Sequence, residues 1–147
     1  MAIHKIDGVD NVNHFPKKIV TLYAAAVVTK GDWVEIDIGD VVNGRGASVK
    51  TTVASSLRQA FGVATETVAA GSNVRIQTAG LNTAVKMVIS VPAGAALSCD
   101  GTTAGAASAT GGDELAPMCG LHISLDGSTV SVAAATNTCM IIDQGYF

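Results

Sequence analysis

Apolar and polar residues alternate along much of this chain in short runs, and each run is entered through a glycine. In Val28-Thr-Lys-Gly31-Asp-Trp-Val34-Glu-Ile36, glycine follows valine by three positions and two apolar residues then alternate with polar ones. Val68-Ala-Ala-Gly71-Ser-Asn-Val74-Arg-Ile76 and Val91-Pro-Ala-Gly94-Ala-Ala-Leu97-Ser-Cys99 repeat that spacing, and Leu125-Asp-Gly127-Ser-Thr-Val130-Ser-Val132 is a looser copy. A period of two puts Val74 and Ile76 on one face of a strand and Arg75 and Gln77 on the other. Each run therefore predicts a glycine corner feeding a half-buried strand, with Gly31, Gly71, Gly94 and Gly127 as structural turns. The residues by themselves indicate an all-β structural or binding domain.

The runs sort into two sets. Gly31 with Val34 and Ile36 leads on to Gly62-Val63-Ala64 and then to Gly71. Gly94 with Leu97 and Cys99 leads on to Gly120-Leu121-His122 and then to Gly127. Two readings stay open: related halves over 24–80 and 88–135, or turn-plus-strand chemistry recurring independently inside one domain over 23–147. Asn43-Gly44, Asp100-Gly101 and Asp126-Gly127 add hairpin-turn signals. Residues 42–47 predict an exposed loop, and 102–112 a long loop or weak hairpin. Ala54-Ser-Ser-Leu-Arg-Gln-Ala60 is the best helical candidate, one or two turns that would depend on packing.

Residues 1–22 differ from the rest of the chain. Pro16 biases Phe15 toward extended backbone, and Lys17 and Lys18 place two cations beside them. The segment reads as an extended arm or leader, turning into a strand from about Lys18 to Tyr23. Such an arm could reach a neighbouring subunit, or pack on its own domain. Phe15, Pro16, Lys17, Lys18 and Trp33 are the candidate interface residues, with Trp33 in a strand where it serves as core or contact.

Composition changes the picture in one respect. Of the 147 residues, 14% are charged and 48% hydrophobic, yet aromatics supply only 4%. Soluble domains average about 25% charge, so much of this surface must be hydroxyl, amide and small apolar groups. That is either a bland β surface or one partly hidden in an assembly. A net charge of −3 and a pI near 5.4 argue against a broad phosphate-binding surface, so nucleic acid is not an expected partner. With no apolar signal core at the N-terminus and no span for a bilayer, the expectation is a soluble protein made in the cytoplasm, with no membrane partner.

Chemistry is sought and not found. His4, His14 and His122 are present without a G-x-S-x-G elbow. Alternation sets His122 beside Ser124 and opposite Leu121 and Ile123, which reads as a solvated-face histidine. Gly44-Arg-Gly46 lacks a third glycine and a P-loop lysine. Cys99, Cys119 and Cys139 lie far apart with no C-x-x-C pair, and read as buried free thiols rather than zinc ligands. Asp113-Glu114 has too few neighbours for a calcium loop. No enzyme activity, cofactor or metal is expected.

Thr29-Lys-Gly-Asp-Trp-Val-Glu-Ile36, then Phe61-Gly-Val-Ala64, then Ala69-Ala-Gly-Ser-Asn-Val-Arg-Ile-Gln-Thr-Ala-Gly80 together resemble tailed-phage capsid cement (decoration) proteins. That family was long known only as a domain of unknown function. The likeness covers residues 24–80; the second half shares it in style, through Gly94-Ala-Ala-Leu97 and Cys119-Gly-Leu121. It implies a small β-barrel or β-sandwich of short antiparallel strands on the outer surface of a phage head. It further implies a homo-oligomer, a trimer by preference, whose partner is the major capsid protein, and it implies no catalysis. A carbohydrate- or receptor-binding β module of a fibre is the alternative. It would display aromatic rings, and Trp33, Tyr23 and Tyr146 are the candidates.

Overall fold

The computed structural model describes residues 17–37, 48–53, 60–100, 102–110, 117–124, 127, 129 and 135–143. Phe15, Pro16, the 42–47 loop and most of the 54–60 helical candidate lie outside them. Among the described residues there are nine strands: β1 (Lys18–Ala24), β2 (Trp33–Asp37), β3 (Ser48–Thr51), β4 (Gly62–Ala64), β5 (Asn73–Lys86), β6 (Ala96–Cys99), β7 (Ala107–Ala109), β8 (Gly120–His122) and β9 (Ala135–Ile141). The protein is all-β, and no helix occurs among the described residues.

Valine and isoleucine at alternate positions start β5 as expected. Val74 and Ile76 are fully buried and Arg75 is exposed. Gln77 departs from the alternation and is buried. Its Nε2 donates to the carbonyls of Ala79 and Leu81 at 3.0 and 3.1 Å, and its Oε1 accepts from Asn82 Nδ2 at 3.1 Å. An amide satisfied in this way can be desolvated at little cost.

All nine strands join in one sheet, in the order β1-β3-β2-β4-β5-β9-β8-β6-β7. As a whole it is not a closed barrel. β1 also pairs with β5, so hydrogen bonding runs round β1-β3-β2-β4-β5 and returns to β1. Two features correct a picture of short antiparallel strands: β5 is 14 residues long, and β1 pairs with β3 in parallel.

The pairing scheme of the first circuit recurs in the second. There the later part of β5 takes the place of β1, and β6, β7, β8 and β9 follow as β2, β3, β4 and early β5 do. The parallel β1–β3 contact has its counterpart in a parallel bridge between Met87 and Ala107. Individual backbone bonds repeat as well. Gly31 N donates to Ala64 O at 2.9 Å, and Gly94 N to His122 O at 3.0 Å. Phe61 N donates to Val34 O and Cys119 N to Leu97 O, each at 2.7 Å. Ala25 N reaches Val49 O at 2.8 Å, and Val88 N reaches Ala107 O at 2.9 Å.

Gly127 does not stand where Gly71 does in this scheme. Arg75 O, which accepts from Thr65 N, has its counterpart in Thr138 O, which accepts from Ile123 N. The connection into β9 is therefore longer than the one into β5. The 102–112 stretch contributes a hairpin strand, since β7 pairs antiparallel with β6.

Two apolar cores result. One fills the first circuit with Ala24, Val28, Val34, Val49, Phe61, Ala64, Val74 and Ile76. The other fills the second with Val85, Met87, Val91, Leu97, Ala107, Cys119, Cys139 and Ile141, and also takes in Trp33, Ala60 and Val63 from the outer side of the first. Trp33 is thus the largest group joining the halves. Its backbone N also donates to Gly105 O at 2.9 Å. At the same seam Lys86 Nζ lies 3.5 Å from Asp32 Oδ1 and donates to Ala104 O at 3.0 Å.

Candidate functional site

The interface residues named from sequence do not converge. Phe15 and Pro16 fall outside the described residues. Lys17 is exposed at the lip of β1. Lys18 is the first residue of β1, and its Nζ forms an ion pair at 3.0 Å with Asp143, just past β9. Its charge is therefore directed within the molecule. Trp33 is wholly buried in the second core, which removes it as a contact residue for any partner of the folded chain. Gly31, Gly71, Gly94 and Gly127 all have positive φ, at 87, 84, 76 and 71°.

His122 is buried rather than solvated. It occupies the inward position that Ala64 holds in the first half, and its Nδ1 lies 2.8 Å from Pro92 O. A carbonyl can only accept, so Nδ1 carries the proton there. Alternation misassigned this residue because Leu121, not His122, faces outward from β8.

Cys99, Cys119 and Cys139 are free thiols and lie close together in the second half. The hydrogen bond between Cys99 and Cys119 lowers the Cys99 thiol and raises that of Cys119, and burial raises Cys119 further. Burial pushes Cys139 up to about 12. Two of the three are thus held as thiols at neutral pH, which suits core packing and opposes thiolate chemistry. Among the described residues no group of three or more His, Cys, Asp or Glu side chains could hold a metal ion.

Two concave features are bordered by described residues. Lys17, Lys30, Thr65, Gln77, Asn82 and Thr83 border a groove of about 180 Å³, below the roughly 300–1,000 Å³ of typical ligand pockets. Tyr23, Gly71, Ser72 and Asn73 border a wide-open hollow of about 670 Å³ at the β1–β5 end.

A sheet face offers more than either hollow. Leu81 on β5, Met140 on β9 and Leu121 on β8 are direct cross-strand neighbours, and Leu121 is followed by Ala96 on β6. Cys139 and Ile141 point into the core on either side of Met140, so this row points outward. Leu81 is 37% exposed and Met118, just before β8, is 46% exposed. The row was accessible to sequence reasoning, since core positions at Cys139 and Ile141 force Met140 to the opposite face.

No family model matches the chain, and no curated protein matches it. One solved structure that it resembles is the N base of the head fiber protein gp8.5 of bacteriophage phi29, with a TM-score of 0.56 at 16% identity. The likeness covers 86% of this chain and 94% of that one, and what it establishes is a common fold.

Proposed function

We propose that this chain is a structural protein of a tailed-phage head, attached to the outer surface of the shell as a cement or decoration protein. The observation that carries this reading is the fold held in common with the phi29 head fiber base over nearly the full length of both chains. The Thr29–Ile36, Phe61–Ala64 and Ala69–Gly80 motifs independently resemble those of head decoration proteins. The major capsid protein is the proposed partner, the chain acts as a homo-oligomer with a trimer favoured, and it reaches the virion from the host cytoplasm. It needs no cofactor and performs no catalysis, and neither nucleic acid nor membrane is among its partners.

A structural role suits the surface. Few charges and an apolar sheet face give modest contacts, and many copies on one particle add those contacts together. Purified protein mixed with undecorated heads of its phage should co-sediment to saturation, and image reconstruction should find it at fixed positions on the shell. Heads that neither carry nor bind it would overturn the proposal. The receptor-binding alternative draws support from the phi29 protein being part of a head fiber. A glycan-binding signal that competes with added sugar would favour it instead. Trp33 cannot serve that reading from the core; Tyr23, at the open hollow, is the described aromatic residue available to it.

A further inference from the structure

No part of the proposed function falls to the three thiols of the second half, and one of them differs from the other two. Cys119 and Cys139 are buried, whereas Cys99, the last residue of β6, is half-buried. Its Sγ sits at the seam between the halves and accepts hydrogen bonds from the Cys119 thiol, the Ala60 backbone amide and the Thr52 hydroxyl. The surroundings of Thr52 fix the sense of the last bond. Its Oγ1 already accepts from Gly105 N at 3.1 Å, which leaves its own proton to point at sulfur. The single Cys119 proton has two acceptors in reach, Leu97 O at 3.4 Å and Cys99 Sγ. Leu97 O is already bonded by Cys119 N at 2.7 Å, so an ionised Cys99 sulfur is the stronger claimant. The Cys119 bond, with the amide and the hydroxyl, lowers the Cys99 thiol from its ordinary value, against burial and the nearby Glu35 carboxylate.

We propose that Cys99 and Cys119 are a peroxide-oxidisable dithiol, which closes to a disulfide between β6 and the entry to β8. Cys99, as thiolate, attacks one oxygen of hydrogen peroxide; the O–O bond breaks, hydroxide leaves, and Cys99 becomes a sulfenic acid. The Cys119 sulfur then attacks the Cys99 sulfur. The S–O bond breaks, and hydroxide departs with the Cys119 proton as water. In sum the two thiols lose two electrons and two protons, and the peroxide is reduced to two waters. Cys119 is held as a thiol until the second step, so it resolves the sulfenic acid and does not start the reaction. Cys139, pushed up to about 12 by burial, takes no part. The described pairing of β6 with β8 ends at Leu97–Gly120, and both reacting residues lie just beyond it. Their sulfurs can therefore close to bonding distance without breaking that ladder. A chain made in a reducing cytosol and carried outside on a particle passes from the open form to the closed one. That passage rests on the proposed function; the thiol chemistry does not.

Folded, fully reduced full-length chain treated with a small excess of hydrogen peroxide at neutral pH, then alkylated and mapped by mass spectrometry, tests it. Cleavage before Asp100, Asp113 and Asp126 places Cys99, Cys119 and Cys139 on separate peptides. The map should show the Cys99 and Cys119 peptides linked, lighter by two hydrogens or about 2 Da. Cys139 should be recovered as a thiol, and dithiothreitol should release the link. Cys119→Ala should stop at a Cys99 sulfenic acid that dimedone traps, and Cys99→Ala should lose thiol at least about tenfold more slowly. If a variant fails to fold, the wild-type map still decides. Three free thiols in folded wild type, at peroxide sufficient to oxidise glutathione, would overturn the proposal. So would a first link that contains Cys139 or joins two copies, or a folded Cys99→Ala protein that loses thiol at the wild-type rate.

Discussion

Two rows of four side chains, alike in strand pairing, differ in burial at three of their four positions. In Ile19–Gln77–Val63–Trp33 the last three are buried, Val63 and Trp33 in the second core, while Ile19 is exposed; in Leu81–Met140–Leu121–Ala96 the last three are half-buried and Leu81 is exposed. Backbone hydrogen bonding is the same in both, so the ladder does not decide exposure. What differs is order along the chain: the second unit packs against the first, and among the described residues no further unit packs against the second. Stacked repeats show the same asymmetry, in which the last unit needs a cap or a partner. The residues reflect this, because the large indole sits where the cover is and alanine where it is absent.

The sharpest way to break that contrast is to exchange the residues at equivalent positions. Trp33→Ala should cost about 3–5 kcal/mol, as for other buried tryptophans, read as a fall in the urea unfolding midpoint. Ala96→Trp should change stability by less than about 0.5 kcal/mol if its side of the sheet is open. Comparable losses in both variants would show that the second row is covered within the monomer.

Next in size come the two glycines that sit at the same place in β4 and β8. A Cβ on Gly62 would lie 2.5 Å from Gln77 O and 2.7 Å from Ile76 Cγ2; one on Gly120 would lie 2.5 Å from Cys139 Sγ. Gly62→Ala and Gly120→Ala should each lose about 1–3 kcal/mol through overpacking. The backbone oxygen opposing Gly62 can retreat less than a thiol, so Gly62→Ala should melt lower. The reverse order would mean that the second core is the more rigid of the two.

Corner glycines sharpen the comparison at a smaller scale. Gly71 and Gly94 both hold positive φ, but a Cβ on Gly71 would meet Tyr23 Oη at 3.1 Å and one on Gly94 would meet nothing within 4 Å. Gly94→Val should cost about 1–2 kcal/mol for backbone strain alone, and Gly71→Val more, measured by thermal melting. Equal losses would mean that the tyrosine moves aside freely.

The smallest expected effect is a pH dependence that differs between halves. In the second, burial tends to raise the Asp100 carboxyl. Hydrogen bonds from the Thr102 hydroxyl and from the Thr102 and Thr103 amides outweigh that and hold it below its usual range. In the first, exposed Glu66 is lowered by the Arg75 amide and guanidinium. A depressed folded pKa gives stability that is fully present above about pH 4 and is lost as pH falls through the folded value. Asp100→Asn should flatten the decline in melting temperature below pH 4 and leave pH 7 nearly unchanged. Glu66→Gln should do so less, because its pair is solvent-screened. An unchanged acid slope in Asp100→Asn would remove the threonine turn as its source.

The strands around Gly31, Gly71 and Gly94 could be read from sequence because glycine at positive φ and period-two alternation are local signals. Val34, Val74, Ile76 and Leu97 reach the core as that alternation requires. His122 and Gln77 went against it: His122 bonds to Pro92, which only the folded chain brings near, and Gln77 bonds within β5 to Ala79, Leu81 and Asn82, a local satisfaction that alternation alone does not record. Trp33 was ambiguous for a related reason. Both faces of β2 are covered, one by its own circuit and one by the next, and no pattern within five residues records the second cover. The parallel β1–β3 contact was equally hidden, because a pairing between distant segments leaves no mark in either alone.

β5 belongs to both circuits, and this imposes an order in time. Synthesis proceeds from the N-terminus, so β1 to β4 and the start of β5 leave the ribosome with every partner of the first circuit available. The later part of β5 then emerges with an open edge. Its partner β9 is the last strand described, so that edge must wait while more than forty further residues are made. Exposed strand edges recruit other chains. A nascent or truncated form of this protein would therefore be most prone to aggregate at Gly80–Lys86, and slowing translation over residues 87–134 should lower the soluble yield without altering the finished molecule.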